Sequence, residues 1–406
     1  MSAASPAPAA RPFAAILDAA PARREPPWLT RMRAAARARF EAIGLPGPRD
    51  EDWRQTNVRP LASIPFERGE RGGPSSEGAF VEGLASALAR APEALEPHLG
   101  AIAPHDRHPF AALNLATFED GTLVRIPPGA TVAEPIRIVH RVPTGRSPVL
   151  IHPRTLVLAG AGSKATVVEV FEQGGPGTSL TSAVTEIVLE ANAEIDHVKV
   201  QAGGDDAWHV ASVAGRIARD ARLRSHNVSW GGRLSRNDIG AVLDGEGAEC
   251  HLYGLTLADG AQHVDNHTWL DHAKPHGRSW EMYKAVLAGA ARAVFNGRII
   301  VREGAQKTDA KQSNKNLILS DAAIVFTRPQ LEIHANDVKC THGATIGRLD
   351  EEALFYLRSR GLGAVEARDL LIHAFADDVL AKIPAAGVRE ELAASLYARL
   401  ERDLAG

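Results

Sequence analysis

Six clusters of small residues recur at near-regular spacing through the middle of the chain, and they restrict its fold more than any other feature. They are Ala159-Gly160-Ala161-Gly162-Ser163, Glu190-Ala191-Asn192-Ala193, Arg219-Asp220-Ala221, Asp244-Gly245-Glu246-Gly247-Ala248, Ala288-Gly289-Ala290-Ala291 and Ser320-Asp321-Ala322-Ala323. With Ser163, Ala193, Ala221, Ala248, Ala291 and Ala322 as markers, the intervals are 30, 28, 27, 43 and 31 residues. A period of this size signals stacked repeats. Between the clusters lie β-branched runs such as Thr122-Leu123-Val124-Arg125-Ile126 and Ile195-Asp196-His197-Val198-Lys199-Val200. The helical crossover that usually joins parallel strands is missing from these intervals. A β-solenoid resolves this, because each coil lays its strands on the previous one and small residues suit its tight corners. The expectation is a mainly β chain with a parallel β-helix over 119–345, a β-sandwich being the competing architecture. The 43-residue interval predicts an inserted loop.

Both flanks read as helical, over 1–118 and 346–406. Leu29, Met32, Ala36, Phe40 and Ile43 share one helix face, and Gly44 and Pro46 stop that helix. Arg31, Arg33, Arg37 and Arg39 lie mostly off the face and read as its solvated side. Residues 67–78 read as a polar, Gly-rich linker, Val81 to Leu95 as a second helix and Phe110 to Phe118 as a third. Near the C-terminus Asp350 is a candidate N-cap and Gly361 a candidate stop. Leu371, Phe375 and Val379 then share a face able to dock a partner or cap the solenoid, and a last helix is expected over 388–404.

Composition removes several function classes. The net charge of −3 over 406 residues gives no basic field for nucleic acid. No run of 18 apolar residues is present to span a membrane. Met1 to Ala20 reads as an Ala/Pro tail without a secretory core, and two cysteines exclude a disulfide scaffold, so a reducing, cytoplasmic setting is expected. Two thiols are also too few for an all-cysteine Fe–S cluster, which takes four. Gly160-Ala161-Gly162-Ser163-Lys164 lacks the spacing of a phosphate loop, and no nucleophile elbow occurs.

Two constellations remain. His251, His263, His267, His272 and His276 crowd one segment. Its pattern around His263 and His267 is strand-like, and hydrogen-bonded side chains stacked on strands are expected there in preference to a metal site. Cys340 and His342 are one residue apart, so on an extended backbone they share a face. Thiolate and imidazole both ligate iron or zinc, and two ligands make half of a site shared between subunits. A structural cysteine at a strand end is the alternative.

Over residues 105–380 the chain resembles the SufB/SufD family of iron–sulfur cluster assembly proteins. The resemblance is carried by Val264-Asp265-Asn266-His267-Thr268, Lys274-Pro275-His276 and Phe295-Asn296-Gly297-Arg298-Ile299. It continues through Gly304-Ala305-Gln306-Lys307-Thr308-Asp309-Ala310-Lys311-Gln312-Ser313-Asn314-Lys315-Asn316-Leu317, the Cys340/His342 block, and Phe355-Tyr356-Leu357-Arg358-Ser359-Arg360-Gly361. The chain looks SufD-like rather than SufB-like, since Leu357 stands where SufB sequences place a cysteine. Gly277 departs from many SufD sequences, which have a cysteine there, so no metal role is carried over to that position. The resemblance implies a right-handed parallel β-helix flanked by helical domains, acting as a non-catalytic scaffold subunit. It implies a SufB-like partner through the β-helix, a SufC-like ABC ATPase through the C-terminal helices, and a possible homodimer in isolation. It also implies no intrinsic cofactor; iron or an Fe–S cluster would be held transiently at a shared interface, with His342 as ligand or proton carrier and Cys340 secondary. A polysaccharide-active β-helix enzyme and a stand-alone cluster scaffold are the competing functions.

Overall fold

The computed structural model describes residues 12–18, 25–69, 75–77, 80–103, 105–143, 145–173 and 175–403. Most of the Ala/Pro tail, Met1 to Arg11 with 19 and 20, lies outside them. Two sheets form the body. The first contains, in spatial order, β3 (Val81–Gly83), β4 (Thr122–Ile126), β7 (Arg154–Ala159), β9 (Ser179–Leu189), β11 (Ala207–Ile217), β13 (Leu234–Leu243), β15 (His263–His272), β17 (Arg292–Val301) and β19 (Ile324–Ile333). The second contains β2 (Ser75–Glu77), β5 (Ile136–Val142), β8 (Lys164–Gln173), β10 (Glu194–Gly203), β12 (Arg222–Gly231), β14 (Glu249–Ala258), β16 (Arg278–Leu287), β18 (Asp309–Ile318) and β20 (Lys339–Gly347). Two short strands, β1 (Glu67–Arg68) and β6 (Val149–Ile151), pair beside β9. Successive long strands alternate between the sheets and pair in parallel with the strand two places on, which makes a β-solenoid of about eight turns.

The corners explain the periodic small residues. On the edge leading from the first sheet to the second, Gly162, Asn192, Asp220, Gly247, His276 and Lys307 all have φ between 56° and 69°. This left-handed conformation suits Gly, and Asn or Asp better than other residues. Ser163, Ala193, Ala221 and Ala248 follow the first four, and each is fully buried in the bend. The expected inserted loop is absent. The interval from Ala248 to Ala291 is a complete coil, ending at Gly277, plus half a coil to the opposite edge, where Ala291 sits. Phased on the left-handed residues, the repeat stays at 27–31 residues throughout.

Strand parity decides which side chains enter the lumen. One half of the lumen is apolar, filled by residues such as Ile138, Val167, Ile195, Leu223, Leu252 and Ile299. The outer faces are covered too, which is why β9 and β11 are buried almost continuously. Over the first sheet lie α1 (Ala14–Asp18), α2 (Pro27–Ile43), α3 (Leu84–Arg90) and α4 (Pro109–Thr117), sharing a core with Leu180, Trp208 and Leu234. Over the second lie α6 (Ala364–Leu380) and α7 (Ala386–Asp403), following α5 (Glu351–Ser359). Asp350 caps α5, accepting from the backbone N–H groups of Glu352 and Ala353.

Two local expectations change. The helix read over Val81 to Leu95 is confined to Leu84–Arg90: Val81–Gly83 pairs antiparallel with β4, and Pro92 ends the helical turn. The linker read over 67–78 contributes β1 and β2, which extend the sheets; residues 70–74 and 78 lie outside the described set. Edge strands need no apolar face, so a polar, Gly-rich composition concealed them.

Candidate functional site

Among the described residues the solenoid ends on β19 and β20, each paired on one side only. The inward-facing positions of this last coil have no further coil above them. Ile333 and Ile346 on the inward face are consequently 41% and 50% exposed, and Ile324 and Phe326 on the outward face of β19 are 37% exposed. Cys340 and His342 belong to the same coil. In register, Cys340 sits on Ala310 and His342 on Gln312, both buried lumenal residues, so both side chains occupy the lumenal face of β20. His342 is exposed and Cys340 is half-buried with a free thiol. Burial pushes the Cys340 thiol above its ordinary value of 9, with the backbone contact at Ala310 opposing and Asp309 adding. Burial thus disfavours the thiolate, the form in which cysteine is nucleophilic and ligates metal.

Below the pair the lumen turns polar. Gln312 donates from Nε2 to Glu281 Oε2 at 2.7 Å, and the Thr268 hydroxyl donates to Oε1. Glu281 is fully buried, and desolvation lifts its carboxyl to about 7, Gln312 and Thr268 opposing. Further down, Lys199 donates to Asn237 Oδ1 at 2.7 Å, and Asn237 and Asn227 both donate to Asn266. Burial lowers the Lys199 ammonium to about 7. Deeper still, Glu169 accepts from Thr155 at 2.6 Å and Thr185 at 2.7 Å, and meets His140 at 3.2 Å and His197 at 2.9 Å. None of these lumenal residues was read from the sequence as part of a site, although Asn266, Thr268 and Gln312 lie in the motifs that carry the family resemblance. Parity was the available signal: once Ser279 is phased inward, Glu281 and Tyr283 must follow.

The histidine-rich segment scatters. His251 lies outside the second sheet against the Tyr253 hydroxyl at 3.1 Å, and His272 lies in the lumen against Ser279 at 2.9 Å. His276 occupies a corner. His263 and His267 lie on the outer face of the first sheet, where Thr56 contacts His263 at 2.9 Å and Asp265 contacts His267 at 3.1 Å. Among the described residues, no group of three or more His, Cys, Asp or Glu is placed to hold a metal. Asp265 instead anchors the N-terminal segment. It accepts from Thr56 at 2.5 Å and from Arg236 at 2.8 Å, and the Arg236 guanidinium lies 3.9 Å from the Trp53 ring centroid. Arg236 also pairs with Asp238, which meets His108 at 2.7 Å. Burial alone would raise the Asp238 carboxyl, but Arg236 and His108 hold it well below the usual range.

On the C-terminal helices, Val379 is buried against the second sheet, Phe375 is half-buried there and Leu371 is partly covered. Lys284 clamps this face, reaching Asp378 at 2.8 Å and the Phe375 carbonyl at 2.9 Å. That face is used within the chain. Among the described residues of these helices, the large apolar side chains left in solvent are Phe355 (75% exposed), Tyr356 (57%), Val365 (60%) and Leu370 (46%).

Fold and site define a β-solenoid flanked by helices, with a last coil that is paired on one side only among the described residues. Residues 66–138 match the SufBD protein N-terminal region, and residues 141–375 match the SufBD core domain of SUF system FeS cluster assembly. The chain belongs to the SufBD family. It is 33% identical over 293 residues to the iron-sulfur cluster assembly protein SufD of Escherichia coli, covering 72% of this chain and 69% of that one. It is 35% identical over 293 residues to a SufBD family protein of Synechocystis sp., covering 70% of this chain and 64%, under two thirds, of that protein. A SufBD family protein of Mycobacterium tuberculosis is 32% identical over 370 residues, covering 89% of this chain and 91% of the relative.

Proposed function

We propose that the chain is the SufD-like, non-catalytic subunit of a SUF assembly complex in the cytoplasm. Its uncovered coil would meet a SufB-like paralogue, and its C-terminal helices a SufC-like ATPase. The cluster is cargo, built at the shared face: His342 supplies one ligand or carries a proton, Cys340 is secondary, and the partner completes the ligand set. What supports this most is one juxtaposition. An imidazole and a thiol stand on the lumenal face of a coil that also leaves Ile346 half-exposed. Such an apolar rim around two ligands suits a joint between subunits.

For the ATPase, we assign docking to Phe355, Tyr356, Val365 and Leu370, since Phe375 and Val379 pack inward. Co-expression with SufB- and SufC-like subunits tests the whole reading. His342→Ala is expected to keep melting temperature and complex yield while lowering cluster content, and Cys340→Ser to be milder. Normal cluster content in His342→Ala sinks the site. Undiminished ATPase pull-down by a Phe355→Ser/Tyr356→Ser variant sinks the docking assignment.

A further inference from the structure

Gln312 stands on β18 between Glu281 on β16 and His342 on β20, one rung from each. It is buried, and its amide lies against Gly297 of β17: a Cβ on that glycine would come within 2.3 Å of Gln312 Nε2 and 2.9 Å of its Cδ. The amide is oriented from below. Nε2 donates to Glu281 Oε2 at 2.7 Å, while Glu281 Oε1 is taken by the Thr268 hydroxyl. This arrangement holds in both protonation states of Glu281, because a proton on Oε1 can be donated to Thr268 and Oε2 still accepts. Gln312 Oε1 is left over. It is buried and has no hydrogen-bond partner among the described residues. A buried acceptor without a donor costs stability.

The last coil offers that atom one suitable donor. Of the lumenal side chains on β20, Ala344 has none to give. Cys340 lies one position away over Ala310, whose backbone it already contacts. His342 is on the rung of Gln312 itself, and neighbouring strands are about 4.8 Å apart, within reach of a long side chain. We infer that Gln312 is a positioning residue for His342: its Oε1 accepts the imidazole N–H, which fixes the tautomer and leaves the other ring nitrogen free for the shared site. This rests on the reading above that His342 serves that site. A ligating imidazole ordinarily gives its second N–H to a carboxylate or carbonyl, which orients the ring and raises its basicity. An amide carbonyl backed by a buried carboxyl supplies the same contact. Gly297 belongs to this device, because a side chain there would take the space of the amide.

The test uses the full chain with isotope-labelled nitrogen in its histidine rings, read by NMR at a fixed pH where the His342 ring is neutral. The His342 signals, among those of 16 histidines, are assigned by their loss in His342→Ala. The wild type is expected to show one tautomer. Gln312→Met, which keeps the length and loses the acceptor, should give the mixed signals of an unrestrained ring. Gly297→Ala, which displaces the amide from another strand, should do the same, and its backbone angles lie outside the left-handed region. Gln312→Glu restores an acceptor and should return the single tautomer, a rescue that a merely structural role does not produce. In complexes with SufB- and SufC-like subunits, Gln312→Met should keep complex yield and lower cluster content about tenfold. A ring already mixed in the wild type, or left unchanged by both Gln312→Met and Gly297→Ala, overturns the inference and spares the proposed function. A tautomer that shifts in Gln312→Met while cluster content stays normal overturns the place of His342 in the site, and with it the role of Gln312 there.

Discussion

Glu281→Gln should change how stability depends on pH, in a direction opposite to that of an ordinary paired carboxylate. The buried carboxyl titrates near 7 in the fold, against an ordinary 4.5 in the unfolded chain. Between those values the folded state holds a proton that the unfolded state has released. Stability therefore falls as pH rises through the window, and the loss is complete above the folded value. Two and a half units correspond to about 3 kcal/mol in all, of which about 2–3 kcal/mol falls between pH 5 and pH 8. The other groups facing Glu281 do not titrate in that interval, because burial pushes both the Cys250 thiol and the Tyr283 hydroxyl upward.

Glutamine keeps the shape and removes the charge. Its two hydrogen bonds can be kept: the Thr268 hydroxyl can donate or accept, and Gln312 can turn its amide, since its Oε1 has no partner. The variant should thus match the wild type roughly at pH 5 and gain about 2–3 kcal/mol on it by pH 8. For 406 residues, at about 2 cal/mol/K of unfolding entropy each, that is a shift of roughly 3 °C. Scanning calorimetry of both proteins from pH 5 to 8 measures it, and the carboxylic-acid stretch in the infrared reports the proton directly. Melting curves that move in parallel with pH in the two proteins would refute the reasoning.

Lys199 makes the mirror-image case: its ammonium loses its proton near 7 in the fold against an ordinary 10.5, so wild-type stability should climb as pH rises from 7 toward 10.5, and Lys199→Met should flatten that climb in urea titrations. His276→Gly should raise stability by about 0.5–1 kcal/mol, because the corner holds φ at 59° and the imidazole makes only a long contact to Glu246; calorimetry decides the sign. Trp53→Ala should cost about 3–5 kcal/mol by removing a buried ring from Arg236, and limited proteolysis should then cut the 46–58 segment first. Deleting 351–403 should yield aggregating, dye-binding protein, because it uncovers Trp230, Tyr253, Leu255 and Leu257; a soluble, monodisperse product would show the second sheet to be stable without its helices.

The corners made the fold legible because they are its most constrained points. A left-handed residue followed by a buried Ser or Ala recurs from Gly162-Ser163 to Gly247-Ala248, and composition alone displays it. The pattern then fades at His276-Gly277 and Lys307-Thr308, where unfavoured residues take the same backbone angles. The Ala-rich corners at Ala291 and Ala323 belong to the opposite edge. A marker set chosen by residue size crossed from one edge to the other there, and half a coil was mistaken for a loop. Size identified the corners, but only backbone conformation assigned them to an edge.

The same distinction governs the site. Two-residue spacing was enough to place Cys340 and His342 on one face, because parity is local to a strand. Their exposure is not local. His342 stands in line with Leu252, Glu281 and Gln312, a column otherwise buried, and differs only in having no strand above it. Exposure there is a property of being last, set by where the repeats stop and the Asp350 cap begins a helix. That stop is costly for an isolated chain, since it leaves Phe326, Ile333 and Ile346 in water beside two unpaired strand edges. A terminal coil without a polar cap is favourable only if another surface completes it. On the proposed pairing, a second subunit would complete this end, and Cys340 and His342 stand on the coil it would cover.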